Sequence, residues 1–470
     1  MIADLKPYSQ TEESGLPWLG QVPSHWRRRR MKFLFKERVQ KGFPNEPLLA
    51  ATQSKGVVRK EDYGARTVTA MKDLHLLKLV EEGDFVISLR SFQGGIEVTH
   101  SRGIISPAYT ILAPRKEARR SYYTRFFKSP DFISSLTLFV TGIREGQNID
   151  YERLSRAYLP LPPAEEQEAI GRFLDWVSVR LDQAIRAKRK VIGLLNEQKQ
   201  AIIHRAITCG IDPSVRLKAS GIPWLGDIPQ HWEVRRLKSV LMGRLTNGVF
   251  KRGDAFGSGV PLVNVADIYA PDGRIHKDTL DRVQATPTEV ETFRVLLGDL
   301  FFVRSSLKLE GTGRCAFVDS IDPDTIFECH VIRARPDRLR IEPSFLAMFL
   351  SSWAGVNNTI SRANTVTMST LAQGAINSLP VVLPPLTEQR RLLELVSAES
   401  TPVTTATSRL EREVELLREY RTRLVADVVT GKLDVRDASA RLPDEAAPDA
   451  AEDDAELGDE VEADDEEAAV

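Results

Sequence analysis

Between Leu161 and Ala206 the apolar positions follow one rule. Alternating steps of four and three residues land on Ile170, Leu174, Val177, Leu181, Ala184, Lys188, Val191, Leu195, Gln198 and Ile202, and eight of these ten are apolar. That is a coiled-coil seam sustained over about four heptads. Pro162 and Pro163 are tolerated at the entrance of a helix, and Glu165, Glu166 and Glu168 suit the positive end of its dipole. Gly210 is the expected stop. The pattern predicts one helix over about 165–207, roughly 60 Å long at ~1.5 Å per residue. A helix of that length needs a partner or serves as a spacer. A second seam follows through Leu392, Val396, Val403, Ala406, Leu410, Val414, Leu417, Leu424 and Val428, and stops near Gly431. Pro402 removes a backbone donor from its middle, so a kink or split is expected there, with Ser400 or Thr401 capping the second half.

The two seams belong to a duplicated chain. Residues 14–26, SGLPWLGQVPSHW, return as SGIPWLGDIPQHW at 220–232, matching at nine of thirteen positions. LPPAEEQ at 161–167 returns as LPPLTEQ at 383–389, and GDFVISLRS at 83–91 has its counterpart in GDLFFVRSS at 298–306. The β-rich centres Phe85–Ile87 and Phe301–Val303 follow Gly-Asp turns. Further strands are expected at Ile104–Leu112, Gly259–Val265, Cys315–Val318 and Phe327–Ala334, with short helices over Ser121–Phe139 (broken near Pro130) and Pro343–Ser352. The fold class is α+β. Two similar domains, each a twisted sheet with short helices, are separated by two long antiparallel coiled-coil helices, a dumbbell with pseudo-twofold symmetry. The expected boundaries are 1–160 and 211–382 for the domains, 161–210 and 383–433 for the helices, and 434–470 for a disordered acidic tail with almost nothing to bury.

Charge adds to this picture. The 470 residues carry a net −1, but Pro443–Val470 holds 14 Asp or Glu and no Lys or Arg, so the first 442 residues carry +13. A basic body favours a polyanionic partner. No apolar run is long enough to cross a membrane, the N-terminus is too polar for a signal peptide, and Cys209, Cys315 and Cys329 are scattered. The expectation is a cytoplasmic protein.

The candidate chemistry is recognition. His25, Trp26, His231 and Trp232 close the repeated WLG motif. A binding role is conceivable there, but a packing clamp at the entrance of each domain is the favoured reading. Arg27 and Arg28 open the run Arg27–Arg30, and Arg235 and Arg236 stand at the same place in the second copy, where they suit phosphate oxygens. Turn-rich stretches of the first domain carry Gln53, Lys55, Arg59, Lys60, Arg66, Arg90, Ser91, Gln93, Arg102, Arg144, Gln147 and Asn148. Those of the second carry Lys251, Arg252, Asn264, Arg304, Ser305, Ser306, Lys308, Arg314, Arg362, Asn364 and Thr365. Arg and Lys suit guanine edges, Asn and Gln suit adenine. Gly94 and Gly95 would permit close backbone approach. For any one residue a solvated loop side chain is the competing reading. No phosphate-binding loop, Asn/Asp-Pro-Pro-aromatic tetrad, G-x-S-x-G or metal-ligand spacing is present.

The doubled series of WLG-x-φ-P-x-HW, Gly-Asp strand, LPP-x-x-EQ and long helix closely resembles the specificity subunit of type I restriction-modification systems. An imperfect Thr-Gly-φ-Asp element ends each helix, at Thr208-Cys209-Gly210-Ile211-Asp212 and Thr430-Gly431-Lys432-Leu433-Asp434. The resemblance spans about residues 10–435. It implies two target-recognition domains, each reading half of a bipartite site in double-stranded DNA, with the helices setting the unread spacer. It also implies two modification subunits docked on the helices, carrying S-adenosylmethionine and methylating adenine. Motor-nuclease subunits using ATP and Mg²⁺ would join through that assembly, in defence against foreign DNA. The chain itself would hold no cofactor, no metal and no catalytic residue. The alternatives are a coiled-coil scaffold that binds only proteins and a self-contained DNA nuclease or methyltransferase.

Overall fold

A computed structural model describes residues 5–53, 55–62, 73–141, 148–212, 214–270, 272–306, 309–365 and 369–443. The chain divides into two compact units. One comprises the N-terminal residues through Lys188 together with the chain from Arg412 onward, and the other comprises Arg189–Glu411. The divisions fall inside the long helices, so each unit holds one globular domain and a segment of both helices.

In the first unit a four-stranded antiparallel sheet runs in the order Phe35–Arg38, Thr110–Pro114, Phe85–Ile87, Glu97–Val98. The second has Thr246–Asn247, Val331–Ala334, Leu300–Val303 and Cys315–Phe317 in the same order. The duplication is therefore one of topology as well as of motif. The repeated Gly-Asp has one local task in both. Asp84 and Asp299 are buried. Asp84 accepts from the backbone N–H of Glu81, and Asp299 from that of Leu296, which closes the turn before the central strand. Each carboxylate also takes a forked arginine from another part of the sheet, Arg38 at 2.7 and 3.2 Å and Arg335 at 2.6 and 2.8 Å. Gly83 and Gly298 supply the positive φ that precedes it.

The first core is aromatic: Phe35 and Phe85 meet Tyr123 and Phe127 edge-on or tilted, with Tyr122, Phe126 and Phe132 beside them. Helices Arg120–Phe126 and Pro130–Leu136 supply most of these rings, with Pro130 opening the second. Three expected strands are interrupted. Ile104–Leu112 divides into Gly103–Ile105 and Thr110–Pro114 around the turn at Ser106–Tyr109, because Pro107 has no N–H to continue a ladder. Gly259–Val265 ends early, since Asn264 caps a short helix, Val265–Ile268. Phe327–Ala334 is split by the turn in which Val331 N–H donates to Glu328 O.

The long helices run Ala164–Cys209 and Leu386–Val429. The second continues through Pro402, so of the kink or split expected there the split does not occur. Pro402 and Ala398, whose carbonyl it leaves without a helical donor, are both exposed, so water can satisfy that group, while Val396 and Val403 stay buried on the opposite face. Neither expected cap forms: Thr401 Oγ1 donates to Ser397 O within the helix, and Ser400 Oγ is buried with no partner among the described residues. In the first unit the helices are antiparallel: Asp182 pairs with Arg421 at 2.6 Å and Lys188 with Glu413 at 2.5 Å. In the second unit Arg205 pairs with Glu399.

The buried stripe of the first helix starts on the expected seam, at Ile170, Leu174, Val177 and Leu181, then moves to Ile185 and ends on Ile203 and Ile207. Val191 is 44% exposed and Gln198 is exposed. An α-helix drifts ~20° per heptad against a strict seven-residue repeat, so about five heptads amount to roughly one residue's rotation. A drift of that size accounts for the one-residue displacement of the buried stripe from the expected seam.

Candidate nucleic-acid interface

Each domain is seated on the helices by the two repeated motifs. Glu166 is 4% exposed and takes three donors. Tyr8 OH donates to Oε1 at 2.5 Å, Trp26 Nε1–H to the same oxygen at 2.9 Å, and His25 Nε2 lies 2.8 Å from Oε2. Burial, then the Glu166 carboxylate, pushes the Tyr8 phenol far above its ordinary range. Beside it Gln167 is buried, donating to Pro162 O and Glu117 O and accepting from Arg119 N–H. The second copy repeats this with Gln389, which donates to Pro384 O and Arg340 O and accepts from Glu342 N–H. There Glu388 meets His231 at 2.8 Å, but Trp232 Nε1 is buried with no partner among the described residues. The histidine of each repeated motif is thus a clamp on the glutamate of LPP-x-x-EQ, joined by the tryptophan in the first copy alone among the described residues. Trp26 also packs against Gly431, and Trp232 against Gly210, the glycines that end the other helix in each case. A side chain at Gly431 would meet Pro23 at 2.3 Å, and its φ of +77° favours glycine in any case.

The arginine runs lie on short strands. Arg27–Arg30 pairs with Tyr158–Leu161, and Glu233–Arg236 with Pro380–Leu383. Glu117 lies 3.5 Å from Arg27 and 3.3 Å from Arg29, while Arg28 donates to Ser14 O and approaches Glu12 at 3.9 Å. Arg235 pairs with Glu233, and Arg236 is exposed.

In the first domain several candidates gather in one place. A small polar cleft is lined by Thr52, Gln53, Arg90, Ser91 and Glu97. Gln93 is exposed beside it, and Lys55 is exposed on the turn that carries Gln53, its N–H donating to Thr52 Oγ1. Asn148 lies on a two-residue strand, Asn148–Ile149, that packs near the Ser91–Gly94 helix. Ser91 is buried and accepts from Ser88 N–H, so it shapes the turn. Gly94 and Gly95 do not face open space. A side chain at Gly94 would strike Gln53 at 2.9 Å, and one at Gly95 the Phe127 carbonyl at 2.3 Å. They admit packing inside the domain. Arg102 bridges Glu46 and Glu81, Arg59 pairs with Glu61, and Lys60 is half-buried. Arg66, Arg144 and Gln147 lie outside the described residues.

In the second domain the pairing of Ser305–Ser306 with Ser369–Thr370, and of that strand with Asn364–Thr365, brings four candidates into one small sheet. Arg304 is exposed at its edge. Arg314 is exposed too, its guanidinium 5.8 Å from the Tyr269 ring. Arg362 donates to Ser378 Oγ at 3.0 Å, and Arg252 is exposed. Lys251 and Asn264 are engaged within the fold instead. Lys251 is 13% exposed and sits 2.8 and 2.9 Å from the two oxygens of Glu289. Asn264 forms a capping box with Asp267 and donates to Asp281. Lys308 lies outside the described residues.

The residue that sequence reading missed is Lys128, whose ammonium joins Gln53 O, Gly94 O and Glu97. A lone lysine after two phenylalanines gives no signal of this. Among the described residues no three His, Cys, Asp or Glu are grouped to hold a metal ion, and no helix is long and apolar enough to cross a membrane. Burial raises the Cys315 thiol to about 11, which makes it a poor nucleophile.

No family model matches the chain. It is 22% identical over 289 residues to the "Type I restriction enzyme EcoKI specificity subunit" of Escherichia coli K12, covering 61% of this chain and 60% of that protein. It is 22% identical over 362 residues to the "Type I restriction enzyme MjaVIII specificity subunit" of Methanocaldococcus jannaschii, covering 76% and 81%. The match thus spans about 60% of the Escherichia coli relative's length. In fold, it matches a chain from a study titled as the structural basis of complex assembly and conformational transition of the type I R-M system. The TM-score is 0.58 at 15% identity, covering 88% of this chain and 99% of the other. The chain is a homologue of the type I restriction enzyme specificity subunits.

Proposed function

We propose that the chain is the DNA-recognition subunit of a type I restriction-modification complex. Each globular domain reads one half of a bipartite site in double-stranded DNA, and the long helices set the unread spacer. The helices dock two modification subunits, which bring S-adenosylmethionine and methylate adenine. Motor-nuclease subunits join through that assembly with ATP and Mg²⁺. This chain contributes recognition and no catalytic group.

The observation that most supports this reading is the duplication of one construction. Each unit has the same sheet order and a histidine–glutamate contact at the same place on a long helix, and each gathers polar side chains on the turns after the central strand. Two readers of one plan suit two half-sites. A scaffold binding only proteins gives no reason for the basic body. Exchanging residues 27–160 for the corresponding domain of a relative should change one half of the methylated site and leave the other intact. If both halves changed together, or neither did, the reading would fail.

A further inference from the structure

Lys128 stands next to the polar cleft of the first domain. A lysine there reads at first as a phosphate contact. Its hydrogen bonds argue otherwise. An ammonium has three N–H donors. Lys128 Nζ donates to Gln53 O at 3.0 Å, to Gly94 O at 2.8 Å and to Glu97 Oε1. All three donors are engaged inside the domain. Glu97 is only 4% exposed, so this is an anchored charge pair and not a mobile surface contact.

The three acceptors belong to three separate segments. Gln53 lies on the turn joining the strands Leu49–Thr52 and Gly56–Arg59. Gly94 ends the short helix Ser91–Gly94, which begins next to Arg90 and carries Gln93. Glu97 opens the edge strand of the main sheet. The two turns hold Gln53 and Arg90, side chains of the types that read adenine and guanine edges. The tight packing at Gly94 and Gly95 brings them together, and Lys128 ties them to the sheet.

We propose that Lys128 is a positioning residue for base recognition: it holds the Gln53 turn against the Arg90–Gly94 turn, and that arrangement determines which bases the first domain reads. The proposal rests on the DNA-recognition reading above. A guanidinium or amide must be placed closely to make a paired hydrogen bond to a base edge, and a loosened turn gives up discrimination before it gives up the domain. Phosphate contacts elsewhere are untouched by the loss of this brace.

The test uses the full chain assembled with its modification subunits, and reads the methylated motif base by base. Lys128→Met keeps the apolar stem and removes the three donors. It should relax one or more positions of the half-site assigned to the first domain, with roughly tenfold or greater loss of discrimination, the scale of one base contact. The second half-site, the spacer and the salt dependence of binding should stay as they are. Should Lys128→Met fail to fold, judged by circular dichroism, Glu97→Gln weakens the anchor with little change of shape and should relax the same half-site to a smaller degree. An unchanged motif in the folded variants overturns the proposal. So does uniform weakening with a salt slope reduced by about one, which identifies a phosphate contact. The exchange of residues 27–160 is the control. If that exchange moves one half-site while the brace variants move none, only the brace is wrong. If the exchange itself fails, the recognition reading is wrong.

Discussion

Replacing Glu166 with alanine should destabilise the first unit far more than replacing Glu388 destabilises the second. The two glutamates hold the same motif position, so the repeat supplies its own control. Removing the Glu166 carboxylate leaves Tyr8 OH and Trp26 Nε1–H without acceptors, and both residues are buried, at 7% and 3% exposure. An orphaned buried donor costs about 1–3 kcal/mol, and bonds to a charged acceptor lie at the upper end. His25 is 40% exposed in its side chain and can turn to water, so its loss adds little. The expected cost is about 3–5 kcal/mol. At Glu388 the one clamp bond lost among the described residues is that to His231, itself 46% exposed, and Trp232 Nε1 has none among them to lose. About 1 kcal/mol is expected.

Units of this size shift by roughly 2–4 °C per kcal/mol, so Glu166→Ala should lower one transition by about 10 °C and Glu388→Ala by a few degrees. A two-unit chain is not two-state. The measurement is therefore differential scanning calorimetry, with hydrogen exchange on Tyr122–Phe127 and on Phe345–Leu350 assigning each transition. Equal shifts for the two variants would refute the argument, because they would mean that the donors of Tyr8 and Trp26 do not depend on Glu166. Glu166→Gln should fall between, since an amide oxygen still accepts while its NH₂ faces donors.

Spacer length should respond to matched changes only. Asp182–Arg421 and Lys188–Glu413 register the two helices, so removing a heptad from the first helix alone misaligns these pairs, and removing about seven residues from both should shorten the spacer with both half-sites intact; sequencing of methylated DNA reads this, and an altered half-site would refute it. Pro402→Ala restores a helix donor at an exposed position, and a gain of about 1–3 kcal/mol is expected in urea unfolding of the second unit; a loss would show that the helix needs the proline. Hydrogen bonds from Lys251 and the Thr286 backbone hold the Glu289 carboxyl at about 2, below its ordinary 4.5. A depressed carboxyl contributes stability that is complete above about 4.5 and disappears as the pH falls towards about 2. Glu289→Gln should flatten that part of the acid unfolding curve, and an unchanged curve would exclude the pair as its source. Lys251→Met should lower stability while leaving the salt slope of DNA binding unaltered, which a phosphate contact could not do.

What the sequence made legible was whatever recurs along the chain. Both long helices, the doubled motifs and the two central strands were visible because periodicity and repetition are properties of order, and order is what a sequence records. Partnership is not recorded in this way. Lys251, Asn264 and Arg102 are the right types for DNA, but the same donors also satisfy Glu289, Asp281 and the Glu46–Glu81 pair, brought close only by folding. Arg90 and Gln53 are of those same types, yet they lie around a cleft. The glycines show the same ambiguity, since Gly94 and Gly95 make room for Gln53 and the Phe127 carbonyl instead of for a ligand. Even identical motifs diverge. Trp26 and Trp232 stand in the same WLG-HW frame, but Tyr8, which completes the first clamp, lies before the duplicated segment, and Ser214 stands at the matching distance in the second copy. Which polar residues can face DNA is thus decided by what folding brings together, and in the first domain it brings the Gln53 turn and the Arg90–Gly94 turn to the edge held by Lys128.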